Sequence, residues 1–263
     1  MDFYVLIPAR LESTRLKNKM LLDLNGLPLV IRTAQQAQKS SAQRVFIATD
    51  NSEIAAVAKT HGIDCVITRQ HETGTDRLAE ATEQLKLPKE AIIVNVQGDE
   101  PLIDPQLINA VAEQLKIDPQ AQMATAAAPL TTQNNLFNPN IVKVVCNNQQ
   151  QAMYFSRAPI PWARGSYDAT TPASSSADTQ NPAFDALHHI GIYAYRNDFL
   201  QLFPSLTSGT LERLESLEQL RALEHGATIR VLHWPKTPAP GVDTAEDLDL
   251  VRELLVRSTD PKN

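Results

Sequence analysis

The stretch AIIVNVQGDEP, residues Ala91–Pro101, places a run of apolar residues directly before an acidic pair. A short apolar run that gives way to polar residues is typical of a buried strand ending at the edge of a sheet. Asp99 and Glu100 would then lie at the carboxyl end of that strand, where carboxylates need a cation, solvent or a charged partner. The strand predicts the kind of fold, and the acidic pair predicts a site at its edge.

Short apolar runs alternate with segments of helical spacing through the first half of the chain. Strands are predicted at Phe3–Ile7, Arg44–Thr49, Asp64–Ile67, Ala91–Val96 and Met123–Ala128, and helices at Leu29–Lys39, Asn51–His61, Thr75–Leu85 and Gln106–Lys116. Strands that alternate with helices indicate βαβ units and a mostly parallel central sheet flanked by helices. We therefore expect an α/β, Rossmann-like fold in a single domain over residues 1–263.

The pattern changes after about residue 130. Residues 129–162 contain two extended segments joined by an Asn/Gln turn, which predicts a small β-rich hairpin excursion. Gly165–Phe184 is rich in Ser, Thr, Pro and Ala, which predicts a flexible loop, either a surface insertion or a lid. Later elements are predicted as a strand at His189–Tyr195, a helix at Leu211–His225, a strand at Ile229–Leu232 and a helix at Ala245–Val256.

Composition limits the possible functions. The chain has 263 residues and a formal net charge of -6, which argues against broad nucleic-acid binding. Its apolar opening, FYVLIPA, is too short for a membrane span, so we expect no membrane partner and a cytoplasmic location. The two cysteines are isolated and predict neither a zinc site nor a disulfide framework.

A basic loop, PARLESTRLKNK, follows the first predicted strand and contains Arg10, Arg15 and Lys19. Ligands of open α/β sheets bind outside the carboxyl ends of the strands, and a cluster of cations there suits a polyphosphate. The loop has neither of the glycine-rich phosphate-binding patterns. A solvated basic loop is the alternative interpretation.

Two acidic residues are candidates for a metal site. Asp99 should face the same edge as the basic loop, and Asp243 follows a strand at the start of a helix. A carboxylate repels a triphosphate unless a divalent cation lies between them, and Mg²⁺ is commonly held by one or two carboxylates with phosphate oxygens. For Asp243 the alternative is a structural role at the helix N-terminus.

Eight segments place the chain in a family. They are IPARLESTRL, HETGTDRLAE, NVQGDEP, FNPNIVKVV, YFSRAPIPW, HIGIYAY, LESLEQLRAL and GVDTAEDL. In this order, across nearly the whole chain, they closely resemble the 3-deoxy-D-manno-octulosonate (Kdo) cytidylyltransferases. The resemblance implies a nucleotidyltransferase fold and a Mg²⁺-dependent reaction of CTP with Kdo that gives CMP-Kdo and pyrophosphate for lipopolysaccharide biosynthesis. It also implies a homodimer, with much of the contact made by the excursion at 129–162.

The resemblance also assigns roles to residues that match the family's motifs. Arg10, Arg15 and Lys19 would hold the triphosphate, Thr73, Gly74 and Arg77 would seat the cytidine, and Gln97 would lie close to base and sugar. Asp99 and Asp243 would bind Mg²⁺ and would form the catalytic set together with Arg10 and Lys19. Arg157, His189, Tyr193, Glu218 and Gln219 would line the Kdo pocket.

Each assignment has a structural alternative. His189 and Tyr193 also fit half-buried core positions on a strand. Glu218 and Gln219 also fit the solvated face of an amphipathic helix. Arg77 could instead pair with an acidic residue of its own helix, Asp76 or Glu80.

One short segment departs from the family's pattern. The chain has Lys17-Asn18-Lys19-Met20 where the family usually has a Pro-Gly-Lys-Pro run. Without the prolines we expect this loop to sample more conformations before CTP binds.

Three other functions stay open from the sequence. The nearest is a cytidylyltransferase for N-acetylneuraminate or an amino analogue of Kdo. The second is a glycosyltransferase of similar sheet architecture, and the third is a nucleotide-binding protein without activity.

Overall fold

The computed structural model describes residues 2–11, 15–164 and 186–259. The loop predicted at 165–184 lies outside these residues. Within them the chain forms nine β-strands and nine α-helices. The strands are β1 (Phe3–Ala9), β2 (Val45–Thr49), β3 (Asp64–Ile67), β4 (Ile92–Asn95), β5 (Met123–Pro129), β6 (Lys143–Cys146), β7 (Ala152–Ser156), β8 (Leu187–Arg196) and β9 (Ile229–His233). The helices are α1 (Leu29–Ala37), α2 (Ser52–Thr60), α3 (Gly74–Gln84), α4 (Pro105–Ile117), α5 (Gln133–Phe137), α6 (Asn197–Leu202), α7 (Thr210–Glu215), α8 (Gln219–Glu224) and α9 (Ala245–Thr259).

The strands form one sheet in the order β3-β2-β1-β4-β8-β5-β9. Pairs β1–β2, β1–β4, β2–β3 and β5–β9 are parallel, whereas β8 runs antiparallel to both β4 and β5. The expected α/β fold with a mostly parallel central sheet flanked by helices is therefore confirmed.

Alternating side chains of the strands fill two separate layers of core. Val5 and Ile7 of β1 pack in one cluster with residues of α1, α2 and α4. Leu6 of the same strand points to the opposite face, where it joins Leu78 of α3 and Leu220 of α8. Both faces of the sheet are thus covered, which is the requirement for a parallel sheet in water.

The parallel pairing of β1 and β4 brings the basic loop and the acidic pair to one edge. The two strands run side by side, with Leu6 opposite Asn95, so both end at the same side of the sheet. The segment before α9 reaches this edge as well, because the Val242 amide donates a hydrogen bond of 2.9 Å to the Asp99 carbonyl. Three distant parts of the sequence therefore meet there.

Strands β6 and β7 form an antiparallel hairpin in the excursion, and β6 also pairs with β8. Its base is held by the fully buried Lys143, whose ammonium donates to the carbonyl oxygens of Asn138, Ile141 and Arg157 at 3.0, 2.7 and 2.6 Å. Burying an ammonium is costly unless its donors are satisfied, so these three bonds fix the loops on either side of the hairpin. The hairpin's role in a dimer stays a prediction.

The single helix expected at Leu211–His225 is wrong, because two short helices occupy this segment. Helix α7 ends at Glu215, and Ser216 takes a left-handed conformation with φ 52° that no α-helix can continue. Leu214 is therefore 77% exposed, whereas Leu220 in α8 is fully buried. The regular leucine spacing therefore continues across Ser216, where the helical conformation is interrupted.

The last helix starts as the sequence predicts. The Thr244 hydroxyl accepts a hydrogen bond from the Asp247 amide at 3.2 Å, and the Asp247 carboxylate accepts one from the Thr244 amide at 2.9 Å. This reciprocal pair is a capping box. Among the described helices, none combines the length and the apolar character needed to cross a membrane.

Candidate active site

A cavity of about 300 Å³ opens at the edge where β1 and β4 end. Its lining includes the residues to which the sequence assigned nucleotide or metal binding, namely Arg10, Arg15, Lys19, Thr73, Gly74, Arg77, Gln97, Asp99 and Asp243. The structure thus brings together nine residues from four separate segments of the chain. Their individual roles stay predictions.

Lys19 lies between the two carboxylates proposed as metal ligands. Its ammonium is 2.7 Å from Asp99 Oδ2 and 2.9 Å from Asp243 Oδ1, and the residue is 7% exposed. Burial acts to lower the pKa of Lys19, but the two carboxylates outweigh it and raise the pKa above its ordinary value. The lysine is therefore fully charged at neutral pH, and it holds both carboxylates at one point.

A second cation approaches the same carboxylates from the loop. Arg15 Nη2 is 3.1 Å from Asp243 Oδ2. Burial acts to raise the pKa of Asp243, but hydrogen bonds and charge from Lys19 and Arg15 lower it overall. The lining holds four cations, Arg10, Arg15, Lys19 and Arg77, and three carboxylates, Glu72, Asp99 and Asp243, so positive charge is in excess for an anionic ligand.

The pair Asp99 and Asp243 suits a hard divalent cation. Both carboxylates already converge on one positive group, Lys19. Within the described residues no cluster of three or more His, Cys, Asp or Glu side chains could hold a metal ion. Two carboxylates nevertheless fit Mg²⁺, which takes its other ligands from water and phosphate oxygens.

The N-terminal turn of α3 forms the opposite wall. Thr73 caps the helix, because its hydroxyl accepts a hydrogen bond from the Asp76 amide at 3.1 Å. A Cβ on Gly74 would meet Pro8 Cγ at 3.4 Å, an ordinary van der Waals contact, so the start of α3 lies directly against the end of β1. Free amides at a helix start attract anions, which suits the predicted nucleotide contact.

Arg77 is buried against this wall and does not pair within its own helix. Its guanidinium is 3.1 Å from Asp50 Oδ1 and donates to the Thr68 hydroxyl at 3.0 Å. The alternative pairing with Asp76 or Glu80 is therefore wrong. Asp50 and Thr68 directly follow strands β2 and β3, so Arg77 fastens α3 to the sheet edge.

Sequence reasoning assigned no role to several residues of the cavity wall, namely Pro8, Ala9, Met20, His71, Glu72 and Gly98. Gly98 carries the clearest signal, since it lies inside the NVQGDEP motif. A Cβ there would come within 2.9 Å of Met20 Sδ and 3.1 Å of the Pro8 carbonyl oxygen. The glycine therefore lets the turn that carries Lys19 pack against the end of β4.

The two acidic residues of the NVQGDEP motif, Asp99 and Glu100, have different surroundings. Asp99 faces the cavity and Lys19, but Glu100 does not line it. Burial raises the pKa of Glu100 to about 8, and the neighbouring negative charge of Asp99 adds to the shift. Only the first carboxylate of the pair has a charged partner in the described chain.

A second group of predicted residues lies on the α3 side of the sheet, outside the lining of this cavity. The His189 ring packs edge-to-face with Phe155 and at a tilt against Tyr193, with ring centroids 5.0 and 5.3 Å apart. Its Nε2 is 3.0 Å from the Thr125 hydroxyl oxygen, and that hydroxyl donates to the Ile192 carbonyl at 2.7 Å. Burial lowers the pKa of His189 to about 3, so the ring is neutral at physiological pH. The core position expected as an alternative thus describes His189 well.

Glu218 lies against the first turn of α3, and both Glu218 and Gln219 have buried atoms that lack partners in the described chain. Glu218 Oε2 accepts from the Thr75 hydroxyl at 2.9 Å, while Glu218 Oε1 and Gln219 Nε2 are buried without a hydrogen bond in the described chain. Gln219 is only 6% exposed, so the alternative of a solvated helix face is wrong for it. Burial raises the pKa of Glu218 despite the Thr75 bond. Buried polar atoms without partners are places where a ligand can bind.

Arg157 is held at the break between α7 and α8. Its Nε donates to the Glu215 carbonyl at 2.7 Å, and its Nη1 donates to the Pro139 carbonyl at 3.1 Å. Its own amide donates to the Glu215 carboxylate at 2.9 Å. The guanidinium is therefore oriented by the backbone of the excursion and of the helix break.

A parallel sheet with cations and carboxylates at its carboxyl edge defines an α/β protein that binds an anionic ligand such as a nucleotide. Comparison with known proteins identifies the family. A family model described as cytidylyltransferase matches residues 4–229 of the chain. The chain belongs to this family and is a nucleotidyltransferase.

Individual relatives agree with the family. The chain is 51% identical over 258 residues to the 3-deoxy-manno-octulosonate cytidylyltransferase of Polynucleobacter necessarius subsp. necessarius (strain STIR1), covering 98% of this chain and 97% of the relative. A solved structure of CMP:2-keto-3-deoxy-manno-octonic acid synthetase complexed with CTP matches with a TM-score of 0.86 and 35% identity, covering 98% of this chain and all of that one. The resemblance deduced from the eight segments is thus confirmed. A 4-diphosphocytidyl-2C-methyl-D-erythritol synthase, 9% identical with a TM-score of 0.61 over 97% of this chain and 98% of its own, shares the fold.

The contact at Gly98 generates a first prediction. Gly98→Ala should weaken CTP binding by about tenfold, because the added methyl displaces Met20 and with it the turn that positions Lys19. Isothermal titration calorimetry with CTP measures this effect. Gly191→Ala is the matched control, since a Cβ at Gly191 meets no atom within 4 Å. Equal CTP affinity in the two variants would show that the close approach at Gly98 does not matter.

The buried imidazole generates a second prediction. The pKa of His189 is lowered in the fold, so below about pH 6.5 the unfolded chain takes up a proton that the folded chain refuses. Between pH 7 and pH 5 this group should lower the free energy of unfolding by about 2 kcal/mol. His189→Gln should lose that part of the pH dependence in urea titrations, whereas exposed His61→Gln should keep it. An unchanged pH dependence in His189→Gln would contradict the assignment.

Proposed function

We propose that this chain activates Kdo, by converting CTP and Kdo into CMP-Kdo and pyrophosphate for lipopolysaccharide biosynthesis. The observation that carries the proposal is the adjacency of two unlike sites. A cavity rich in cations lies at the first turn of α3, and Glu218, which has one buried oxygen without a partner, accepts a hydrogen bond from Thr75 in that same turn. The Polynucleobacter relative is a 3-deoxy-manno-octulosonate cytidylyltransferase, and this likeness supplies the identity of the sugar.

The cavity at the sheet edge suits the nucleotide. Arg10, Arg15 and Lys19 offer charge to the phosphates, and their number matches what a triphosphate needs. When a triphosphate enters, its oxygens compete with Asp99 and Asp243 for the ammonium of Lys19. The similarity of the chain to a synthetase whose structure was solved in complex with CTP supports the choice of nucleotide.

The second group suits a sugar acid. The neutral ring of His189 and the unpaired atoms of Glu218 and Gln219 are hydrogen-bonding groups that recognise hydroxyls. Arg157 is the cation of the group, and guanidinium groups grip carboxylates through two parallel bonds. Nη1 and Nη2 donate one bond each to the Pro139 and Ser216 carbonyls, and the second N–H of each would meet the carboxylate of Kdo.

In the proposed reaction, the anomeric hydroxyl oxygen of Kdo forms a bond to the α-phosphorus of CTP. The bond from that phosphorus to the bridging oxygen of pyrophosphate breaks, and the hydroxyl proton passes to solvent. Arg10, Arg15 and Lys19 stabilise the charge that builds on the leaving pyrophosphate. The geometry supplies positioning and charge, which are the main needs of such a transfer.

Asp99 and Asp243 would hold Mg²⁺ when CTP is bound. The ion would supply charge neutralisation for the phosphates and polarise the α-phosphate. Before then, Lys19 keeps the two carboxylates together and prevents their mutual repulsion. We further propose that the enzyme is a homodimer that uses the hairpin excursion at 129–162.

The direct test is pyrophosphate release from CTP and Mg²⁺, with Kdo and N-acetylneuraminate in separate reactions. We expect release with Kdo alone. Release with N-acetylneuraminate alone would make the chain a cytidylyltransferase for another sugar acid. Binding of CTP without release from either sugar, in folded protein, would contradict the proposed reaction.

Asp99→Asn should lower turnover by roughly a hundredfold or more, because the neutral amide neither pairs with Lys19 nor binds Mg²⁺ well. Steady-state kinetics at saturating Mg²⁺ measure this loss. Asp249→Asn, an exposed change on α9 outside the cavity lining, should leave turnover unchanged. Near-normal turnover of Asp99→Asn would refute its role as a metal ligand.

A further inference from the structure

The carboxylate of Glu215, the last residue of α7, lies against the end of strand β7. Its Oε1 accepts hydrogen bonds from the Ser156 hydroxyl at 2.6 Å and the Tyr154 hydroxyl at 3.4 Å, and its Oε2 accepts one from the Arg157 amide at 2.9 Å. Burial acts to raise the pKa of Glu215, but the bonds from Ser156 and the Arg157 amide lower it overall. Glu215 is therefore an ionised acceptor whose side-chain donors come from residues 154–157.

The interruption of the helix at Ser216 provides two further acceptors for the same arginine. In a continuous α-helix, the carbonyls of Glu215 and Ser216 would accept hydrogen bonds from amides four residues further on. Because α7 ends at Glu215, these oxygens accept instead from Arg157 Nε at 2.7 Å and from Arg157 Nη2 at 3.5 Å. The positive φ of Ser216 thus accompanies a set of main-chain acceptors that meets the guanidinium.

The main chain of Arg157 is held on both sides. Its amide donates to Glu215, and its carbonyl accepts a hydrogen bond of 2.6 Å from the ammonium of the fully buried Lys143. The Arg157 side chain therefore starts from a fixed point, and its Nε is fixed as well. An arginine oriented in this way loses less conformational entropy when a ligand binds.

This arrangement orients the guanidinium without neutralising it. Within the described chain, its nitrogens donate to carbonyl oxygens only, those of Glu215, Pro139 and Ser216. The Glu215 carboxylate binds the Arg157 amide, so it does not occupy the place that a carboxylate ligand would take. One further N–H on each of Nη1 and Nη2 is left for such a ligand.

We propose that Glu215 is a positioning residue for the sugar acid. Its carboxylate, through the main chain, and its carbonyl, through Nε, direct the guanidinium of Arg157 toward the carboxylate of the substrate. This role rests on the proposed function, because it takes Arg157 as the residue that binds Kdo. Glu215 lies outside the lining of the nucleotide cavity, so its effect should be confined to the sugar.

Glu215→Ala removes the carboxylate and keeps the main-chain carbonyl. The Arg157 amide and the Ser156 hydroxyl then lose their acceptor, so we expect the KM for Kdo to rise about tenfold, with kcat and the KM for CTP little changed. Glu215→Gln keeps one acceptor oxygen and should recover most of the affinity, with a KM for Kdo about threefold above that of the wild type. Pyrophosphate release, with Kdo varied at saturating CTP and Mg²⁺, measures these constants.

Glu212→Ala is the matched control, because Glu212 is a second acid of the same short helix. Its carboxylate accepts from Arg221 at 2.9 and 2.6 Å and has no contact with Arg157 in the described chain. Its loss should lower the free energy of unfolding in urea titrations, yet leave the KM for Kdo unchanged. In an Arg157→Ala background, Glu215→Ala should add nothing to the KM for Kdo, because its effect passes through that arginine.

Three outcomes would overturn this role of Glu215 while the proposed function stands. They are an unchanged KM for Kdo in Glu215→Ala, an equal rise in Glu212→Ala, and a further rise in the Arg157→Ala background. If Glu215→Ala does not fold, the rise expected in Glu215→Gln, and its absence in the Arg157→Ala background, decide between the same outcomes. No pyrophosphate release with Kdo from the wild-type protein would instead refute the proposed function, and the role of Glu215 with it.

Discussion

The ammonium of Lys19 is the point on which the site depends. It joins carboxylates that are 80 and 224 residues away in the sequence, at 2.7 and 2.9 Å. The Lys19 side chain is buried, so loss of either carboxylate leaves its ammonium less well compensated, and Lys19, Asp99 and Asp243 stabilise one another's positions. The basic loop, the end of β4 and the start of α9 are held together by this arrangement, and a polyanion can enter because cations remain in excess.

Much of the fold could be predicted because its local patterns agree with its tertiary structure. The alternation of apolar runs and helical segments located β1 to β5 and α1 to α4 to within a few residues, since each strand and helix buries a continuous stripe. The segment Leu211–His225 was mispredicted for a physical reason. Leucines spaced by three residues fit a helix, but nothing in that spacing shows that Ser216 has a positive φ. Where a helix is interrupted in this way is determined by its packing against other helices and strands.

In the candidate site too, local motifs predicted some features, and contacts between distant segments determine the others. Motifs identified the residues that line the cavity, but not how they pair. Arg77 on α3 reaches Asp50, the residue after β2, and Glu100 turns away from Asp99 into a separate cavity. Partners of this kind are decided by the sheet order, which places remote strand ends side by side. No spacing rule within one helix or loop could have supplied them.

The departure at residues 17–20 illustrates how a site can keep its geometry after losing rigid residues. Asn18 takes φ 52°, a left-handed conformation that asparagine tolerates better than most residues, where the family usually has glycine. The lost prolines are offset differently, because Met20 is buried against Gly98 and ties the short turn Lys19–Leu21 to the end of β4. The expectation of a looser loop considered only the backbone, and it stays a prediction. Side-chain packing and the two ion pairs of Lys19 are the tertiary contacts that would oppose it at this turn.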